Sequence, residues 1–206
     1  MLRCLSEKYA GQEFISLGVE KSGIYSISDL FTSKEYGMSC YPKGGDPEAD
    51  KVSVTMEKYS EILFSDTYFG IVIREDFEAD ILSALSDLPP AMKVYLSQGS
   101  FSTDQDFDGT QTYADFKKWQ LYSKEPKWFS FTIAVAMNGA DESEKEAYAN
   151  QMFDLLEKDI VYGSITVRYY PSDVFEEITR ENVYDIHKLG DEYGIFSKSF
   201  SPYRFN

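Results

Sequence analysis

The amino-acid sequence predicts an α+β fold, a ferredoxin-like split βαβ sandwich with the element order β-α-β-β-α-β, preceded by an N-terminal segment rich in strands. Two successive strand-helix-strand patterns in residues 66–171, and alternating apolar residues in the first third of the chain, predict this class. We expect a single domain over residues 1–206, because this length and a hydrophobic fraction of 43% suffice for one sizeable core.

The second strand-helix-strand unit carries the strongest signals. Apolar residues alternate with small ones over residues 129–137, which is typical of a strand with one buried face. Asp141 and Glu144 then have the spacing of a capping box ahead of a helix with apolar residues at helical intervals. Alternation over residues 165–170 predicts a returning strand, which Pro171 closes.

The first unit has the same order with weaker signals. Residues 68–73 are apolar and rich in β-branched side chains, which predicts a strand. Asp76 is a candidate cap for a helix over residues 77–88, whose apolar residues share one face and which two prolines end. Residues 94–96 then begin the returning strand.

Shorter elements are expected on either side of these units. Residues 1–65 should form strands and turns, with a hairpin joining residues 14–19 to residues 24–27, an exposed loop at residues 41–48 and a strand starting at Val52. Residues 172–206 should form a short helix and an aromatic tail. The tail contains Phe196, Phe200, Tyr203 and Phe205 and is therefore expected to pack on the domain.

The chain is strongly acidic, with 35 Asp and Glu residues against 20 Lys and Arg residues and a formal charge of −15. This charge repels phosphate backbones and anionic lipids alike, so no direct nucleic-acid binding is expected. It attracts cations, and the expected partner is a basic protein. The alternative is that the acidity only keeps an aromatic-rich chain in solution.

No stretch approaches the roughly 18 apolar residues of a membrane span. The N-terminus lacks the apolar run of a signal peptide, so the expected location is cytoplasmic as the chain is written, or periplasmic or secreted if a signal peptide has been removed. Cys4 and Cys40 are either bonded in an oxidising compartment or free thiols. His187 is the only histidine, which excludes a two-histidine metal site, and no phosphate-binding glycine motif is present.

One loop carries the spacing of metal ligands. Residues 104–115 have acidic residues at the first, third, fifth and twelfth positions and Gly109 at the sixth. This pattern resembles the twelve-residue calcium loop of EF-hand proteins, in which alternate oxygen ligands converge on one hard cation. The resemblance implies side-chain, backbone or water-mediated ligands at Asp104, Asp106, Asp108, Thr110, Thr112 and Asp115.

The loop departs from the family in its surroundings and in its last ligand. The preceding residues 93–98 have the pattern of a strand, where an EF-hand has a helix, and Asp115 replaces the usual glutamate. The alternative is a solvated turn, since aspartates favour turns through hydrogen bonds from their side chains to the backbone.

The sequence contains no recognisable catalytic motif. The leading hypothesis is a non-catalytic acidic binding protein that neutralises a basic protein partner, similar in kind to bacterial immunity proteins or inhibitors. One alternative is a carboxylate-based hydrolase, with or without calcium, at a cleft beside residues 104–115. Another is a calcium-stabilised extracytoplasmic binding domain, which a disulfide between Cys4 and Cys40 would favour.

Overall fold

The computed structural model describes residues 1–22, 34–58, 62–97, 103, 107, 109–123, 126, 128–157, 162–184 and 194–200. Within them the chain has a mixed α+β architecture with two four-stranded sheets. The strands are β1 (Phe14–Ser22), β2 (Lys34–Pro42), β3 (Val52–Lys58), β4 (Ile62–Asp66), β5 (Met92–Leu96), β6 (Phe129–Ala136), β7 (Gly163–Tyr170) and β8 (Ile195–Phe200). The helices are α1 (Leu2–Lys8), α2 (Tyr68–Val72), α3 (Arg74–Ala84), α4 (Tyr113–Tyr122), α5 (Glu142–Leu156) and α6 (Ser172–Glu176).

The first sheet is an antiparallel meander with the order β1-β2-β3-β4. Residues 1–65 thus contain the expected strands, but they begin with helix α1, which was not expected, and the predicted turn at residues 20–23 is wrong in its first three positions. β1 continues to Ser22, which pairs with Glu35 of β2. Backbone hydrogen bonds between the two strands extend β1 through this polar stretch, where the side chains alone favour a turn. Residues 24–27, the predicted second strand of the hairpin, lie outside the described residues.

Residues 68–72 form helix α2, so the strand predicted there is wrong. The buried residues Phe69, Ile73, Phe77 and Ile81 follow one another at intervals of four, which places them on one side of the consecutive helices α2 and α3. This helical burial outweighs the β-propensity of the individual side chains, which is a weak preference that depends on context.

The second sheet has the order β5-β6-β7-β8. β6 and β7 are parallel neighbours, joined in sequence through α5, and the two outer pairs are antiparallel. The predicted capping box is confirmed, since the Asp141 side chain accepts from the Glu144 backbone and the Glu144 side chain accepts from the Asp141 backbone. The ferredoxin-like arrangement is not confirmed, because α2 stands where its first strand was expected.

The main core is continuous between the two sheets and includes residues from α1, α2, α3 and α5. The beginning of the predicted aromatic tail packs on the domain as β8, where Phe200 is 7% exposed and Phe196 contacts the ring of Tyr169. Residues 201–206, with Tyr203 and Phe205, lie outside the described part of the chain. None of the described helices has the length and apolar character needed to cross a membrane.

Candidate functional site

The predicted calcium loop is described only in part. Thr110, Thr112 and Asp115 belong to the described residues, whereas the other three predicted ligands lie outside them: Asp104, Asp106 and Asp108. Among the described residues, no group of three or more His, Cys, Asp and Glu side chains is placed to hold a metal ion. Calcium binding by this loop therefore stays a prediction.

Thr112 and Asp115 form the capping box of α4. The Asp115 backbone donates to Thr112 Oγ1 at 3.3 Å, and Asp115 Oδ2 accepts from the Thr112 backbone at 2.9 Å and from its hydroxyl at 2.8 Å. These hydrogen bonds stabilise the carboxylate and lower the pKa of Asp115. The capping role of Asp115 at the start of α4 thus accounts for an acidic residue at the twelfth position of the loop.

Other loop residues pack against the core. Phe107 is 3% exposed, and its ring lies 4.7 Å from that of Phe69 and 5.2 Å from that of Trp119. Gly109 has a φ of +83°, and a Cβ atom there would lie 2.6 Å from Cδ1 of Tyr9. The glycine at the sixth position therefore serves both a left-handed turn and a close approach to α1.

A small cleft lies between α3 and α4, beside this loop. Its floor is aromatic and is formed by Phe77, Phe116 and Phe129. The enclosed volume is about 20 Å³, which holds about one water molecule and no organic substrate.

The polar rim of the cleft contains one carboxylate, that of Asp80. Its Oδ2 atom accepts from the Tyr113 hydroxyl and from Lys117 Nζ, both at 2.8 Å. Partial burial alone would raise the pKa of Asp80, but the hydrogen bonds from Lys117 and Tyr113 outweigh it and lower the pKa. Asp80 is thus an ionised, ion-paired carboxylate without the raised pKa of a general acid.

Among the described residues, the most deeply buried ion pair is that of Lys8 and Asp66, whose side chains are 8% and 0% exposed. Lys8 Nζ lies 2.7 Å from Asp66 Oδ2, while Asp66 Oδ1 accepts from the Tyr9 hydroxyl at 2.8 Å and from the Tyr68 backbone at 2.9 Å. The backbone of Asp66 also pairs with that of Thr103 in both directions. This cluster joins α1 to the end of β4 and the start of α2.

The role of the cluster is structural. Burial and the charge of Asp66 raise the pKa of Tyr9, which keeps its hydroxyl protonated and donating. Both charged partners are satisfied and inaccessible, so neither can reach a substrate. Sequence reasoning missed this pair because 58 residues separate its members and no local motif links them.

The segment from α6 to Tyr184 packs on the second sheet through a small buried cluster that is separate from the main core. Lys93 Nζ donates to the carbonyls of Phe175, Glu176 and Ile178 at 2.8–3.2 Å. These bonds cap the end of α6, where helix carbonyls lack partners within the helix. Lys93 is therefore held by backbone oxygens and is not presented to a ligand.

Arg180 anchors the same segment to α3. Its guanidinium makes a bidentate contact with Glu78, with both N···O distances at 2.7 Å and both side chains less than one-fifth exposed. The guanidinium also lies over the ring of Tyr95, whose hydroxyl donates to Ile178 at 2.9 Å. Fork geometry of this kind gives strong, directional ion pairs.

The two cysteines are free thiols, so the alternative of a disulfide between them is not present in the structure. Cys4 is exposed on α1, and Cys40 is fully buried in β2. Burial and the nearby charge of Asp66 raise the pKa of Cys40 to about 11. Such a thiol is inert as a nucleophile at neutral pH. His187 lies outside the described residues.

Comparison of the chain with protein-family models, curated proteins and solved structures finds no significant match.

Proposed function

We propose that this protein is a non-catalytic acidic binding protein that neutralises a basic protein partner, in the manner of an immunity protein or inhibitor. The proposal depends on one observation, which is that positively and negatively charged side chains lie in different environments. Most described cations are held in intramolecular contacts, whereas most described carboxylates are exposed to solvent.

Several cationic side chains contact buried or half-buried partners. Three of them form ion pairs with little exposure: Lys8 with Asp66, Arg74 with Asp50, and Arg180 with Glu78. Lys93 and Arg168 donate to backbone carbonyls of the segment that follows β7. The three ion-paired cations neutralise their own partly or fully buried carboxylates, so they do not offset the exposed ones.

The exposed cations among the described residues are Arg3, Lys43, Lys51 and Lys118. Arg3 pairs with Glu7 and Lys43 with Glu13, so even these are partly neutralised. The exposed carboxylates of the same residues are Glu7, Glu13, Asp46, Glu48, Glu75, Asp76, Asp87, Asp115, Asp141, Glu142, Glu144, Glu146, Asp154, Glu157, Asp173, Glu176, Glu177 and Glu181.

An acidic surface of this kind attracts a basic partner over a Debye length and accelerates association at low salt. The cleft between α3 and α4 does not itself supply a hydrolytic site, because its enclosed volume is too small for a substrate and Asp80 is its one acidic lining residue.

Affinity capture with charge-reversal variants tests the proposal. The immobilised protein is exposed to an extract of the source organism at about 0.01 M and about 1 M salt, where the Debye lengths are roughly 30 and 3 Å. Three pairs of substitutions alter charge equally on three elements: Glu142→Lys with Glu146→Lys, Glu75→Lys with Asp76→Lys, and Glu176→Lys with Glu177→Lys.

We expect one basic protein to be retained at low salt and released at high salt. One of the three variants should lose it while the other two retain it, because a specific interface occupies one part of the surface. If no basic protein is retained, the proposal is wrong. Equal losses in all three variants would indicate ion exchange without specific recognition and would also contradict it.

A further inference from the structure

Helices α2 and α3 present one continuous face to solvent. The N–H of Ile73, the residue between them, donates to the Phe69 carbonyl, and the Phe77 N–H donates to the Ile73 carbonyl, so the four-residue spacing of a single helix is kept. Residues 68–84 therefore extend over roughly 25 Å. Their outer face, which is turned away from the core, is formed by the exposed residues Val72, Glu75, Asp76, Ala79, Leu82 and Ser83.

The outer face has the spacing of a contact between two helices. Its residues at positions 72, 75, 79 and 82 follow one another at intervals of three, four and three, the pattern along which one helix packs on another. Val72 and Leu82 at the two ends are 44% and 37% exposed, and Ala79 lies between them. By contrast, the exposed positions of α5 are polar except for Ala147, as is usual for a solvated helix face.

Two carboxylates on the sides of α3 are neutralised by cations from other elements. Glu78 makes the bidentate contact with Arg180, whose closest N···O distance is 2.7 Å. Asp80 accepts from Lys117 at 2.8 Å. These two carboxylates therefore add little to the field around the helix.

The two carboxylates on the outer face are different. Glu75 and Asp76 are exposed, and neither forms an ion pair with a residue that the structure describes. Arg74, the one cation in the sequence of α2 and α3, is held by Asp50 at 3.0 Å. Two uncompensated negative charges thus lie beside the apolar residues of the outer face.

We propose that the outer face of α2 and α3 is the docking surface of this protein, and that it binds an amphipathic basic helix of the partner. The inference rests on the proposed function and identifies the surface that the function uses. Contacts with Val72, Ala79 and Leu82 require apolar side chains at helical intervals in the partner. The charges of Glu75 and Asp76 require lysine or arginine residues beside them.

A second copy of this chain fits the outer face less well than a basic helix. Each copy carries a formal charge of −15, so two copies repel each other. Packing of two outer faces would bring Glu75 and Asp76 of both copies into one interface, and neither outer face contains a cation to compensate them.

A fluorescein-labelled peptide serves as the probe, and its binding to the full-length protein is measured by fluorescence anisotropy at about 0.15 M salt. The peptide has leucine at alternating intervals of three and four and lysine at the flanking positions, so it forms an amphipathic basic helix. A second peptide has the same composition in scrambled order. Its charge is equal, but its leucines are spread around the helix.

Two double variants alter exposed apolar residues and keep the net charge. The test variant combines Val72→Gln with Leu82→Gln. The matched control combines Leu121→Gln with Tyr122→Gln at the end of α4, where the two side chains are 41% and 80% exposed. Glutamine has a high helix propensity, and circular dichroism verifies that both variants are folded. We expect the test variant to bind the amphipathic peptide about tenfold more weakly and the control to bind it as the unaltered protein does.

A second pair of variants removes equal charge from two helices. Glu75→Gln with Asp76→Asn neutralises the outer face, and Glu142→Gln with Glu146→Gln neutralises two exposed carboxylates of α5. The first variant should bind the amphipathic peptide about tenfold more weakly, and the second should stay within about twofold of the unaltered protein.

Three results would overturn the assignment of the outer face: equal losses in the two charge variants, equal affinities of the two glutamine variants of apolar residues, or equal binding of the two peptides. Sedimentation equilibrium of the protein alone should show a monomer. A dimer that the Val72→Gln, Leu82→Gln variant loses would make a second copy the occupant of this face, which also contradicts the proposal.

The capture experiment separates this inference from the proposed function. Among its three charge-reversal variants, Glu75→Lys with Asp76→Lys should be the one that loses the basic protein. If the α5 or the α6 variant loses it instead, the protein binds a basic partner but does not use the outer face of α2 and α3. If no basic protein is retained while the peptide binds with the expected losses, this face binds basic helices and the proposed neutralising function is wrong.

Discussion

Lys8 and Asp66 form a buried ion pair with an N···O distance of 2.7 Å, which joins the first helix to the junction between the first sheet and the helical segment α2–α3. Asp66 also accepts hydrogen bonds from Tyr9 and Tyr68, so its charge is fully compensated only while α1 is docked. Removing one partner of such a pair leaves an uncompensated buried charge, which costs more than the pair itself contributes.

The Lys8→Met substitution should lower the free energy of unfolding by about 3–5 kcal/mol, as measured by urea denaturation. Arg3→Met on the same helix is the control and should cost less than about 1 kcal/mol, because the Arg3–Glu7 pair is exposed. The double variant Lys8→Met, Asp66→Asn should lose less than the sum of its single changes, since no charge is left buried. Additive losses would show that the two side chains are not coupled.

Gly109→Ala should destabilise the protein more than Gly139→Ala does. Both glycines have positive φ, +83° and +67°, so each alanine carries the left-handed backbone cost of roughly 1–2 kcal/mol. A Cβ at Gly109 also meets Tyr9 at 2.6 Å, whereas nothing lies within 4 Å of one at Gly139. Thermal denaturation compares the two variants, and equal losses would show that Tyr9 moves aside without cost.

Stability should fall as the pH rises above about 9. The pKa of Cys40 is raised from 9.0 to about 11, and burial also raises the pKa values of Tyr9 and Tyr169 above 10.0. In this range the folded state binds more protons than the unfolded state, so the free energy of unfolding decreases with pH. Urea denaturation between pH 8 and pH 11 measures the slope, and Cys40→Ala should reduce it between pH 9 and pH 11. A free energy of unfolding that is constant over this range would contradict the burial of these groups.

The native protein should present one reactive thiol. Cys4 is exposed and should react with a maleimide within the time in which buried Cys40 remains unmodified. Mass spectrometry should therefore detect one adduct in the native protein, two adducts in urea and none in a native Cys4→Ser variant. Two adducts under native conditions would show that β2 opens readily.

Calcium binding remains a prediction of the spacing in residues 104–115. If the loop is a calcium site, calorimetric titration of the metal-free protein should show weak binding and calcium should raise the melting temperature. The Asp104→Asn, Asp106→Asn variant should abolish both effects. Absence of heat and of a stability change at millimolar calcium would leave the α4 capping box as the role of Thr112 and Asp115.

The sequence is most informative where local signals agree with each other. Three signals agree in predicting β6, α5 and β7: alternating apolar residues in the strands, a capping box before the helix and a proline after the second strand. The structure confirms these three elements. For residues 68–72 the signals conflict, since the side chains favour a strand while the intervals between apolar residues in α2 and α3 favour a helix. Burial resolves that conflict, because it involves more free energy than β-propensity does.

The α+β class, the excess of negative charge and the elements β6, α5 and β7 can be predicted from the sequence, because each of these depends on composition or on neighbours a few residues apart. The contact of Lys8 with Asp66 and that of Arg180 with Glu78 are visible only in the folded chain, as is the terminal position of β1 among the described strands. Those relationships join residues that are distant in the chain. They follow from how the elements pack together, which local periodicity does not encode.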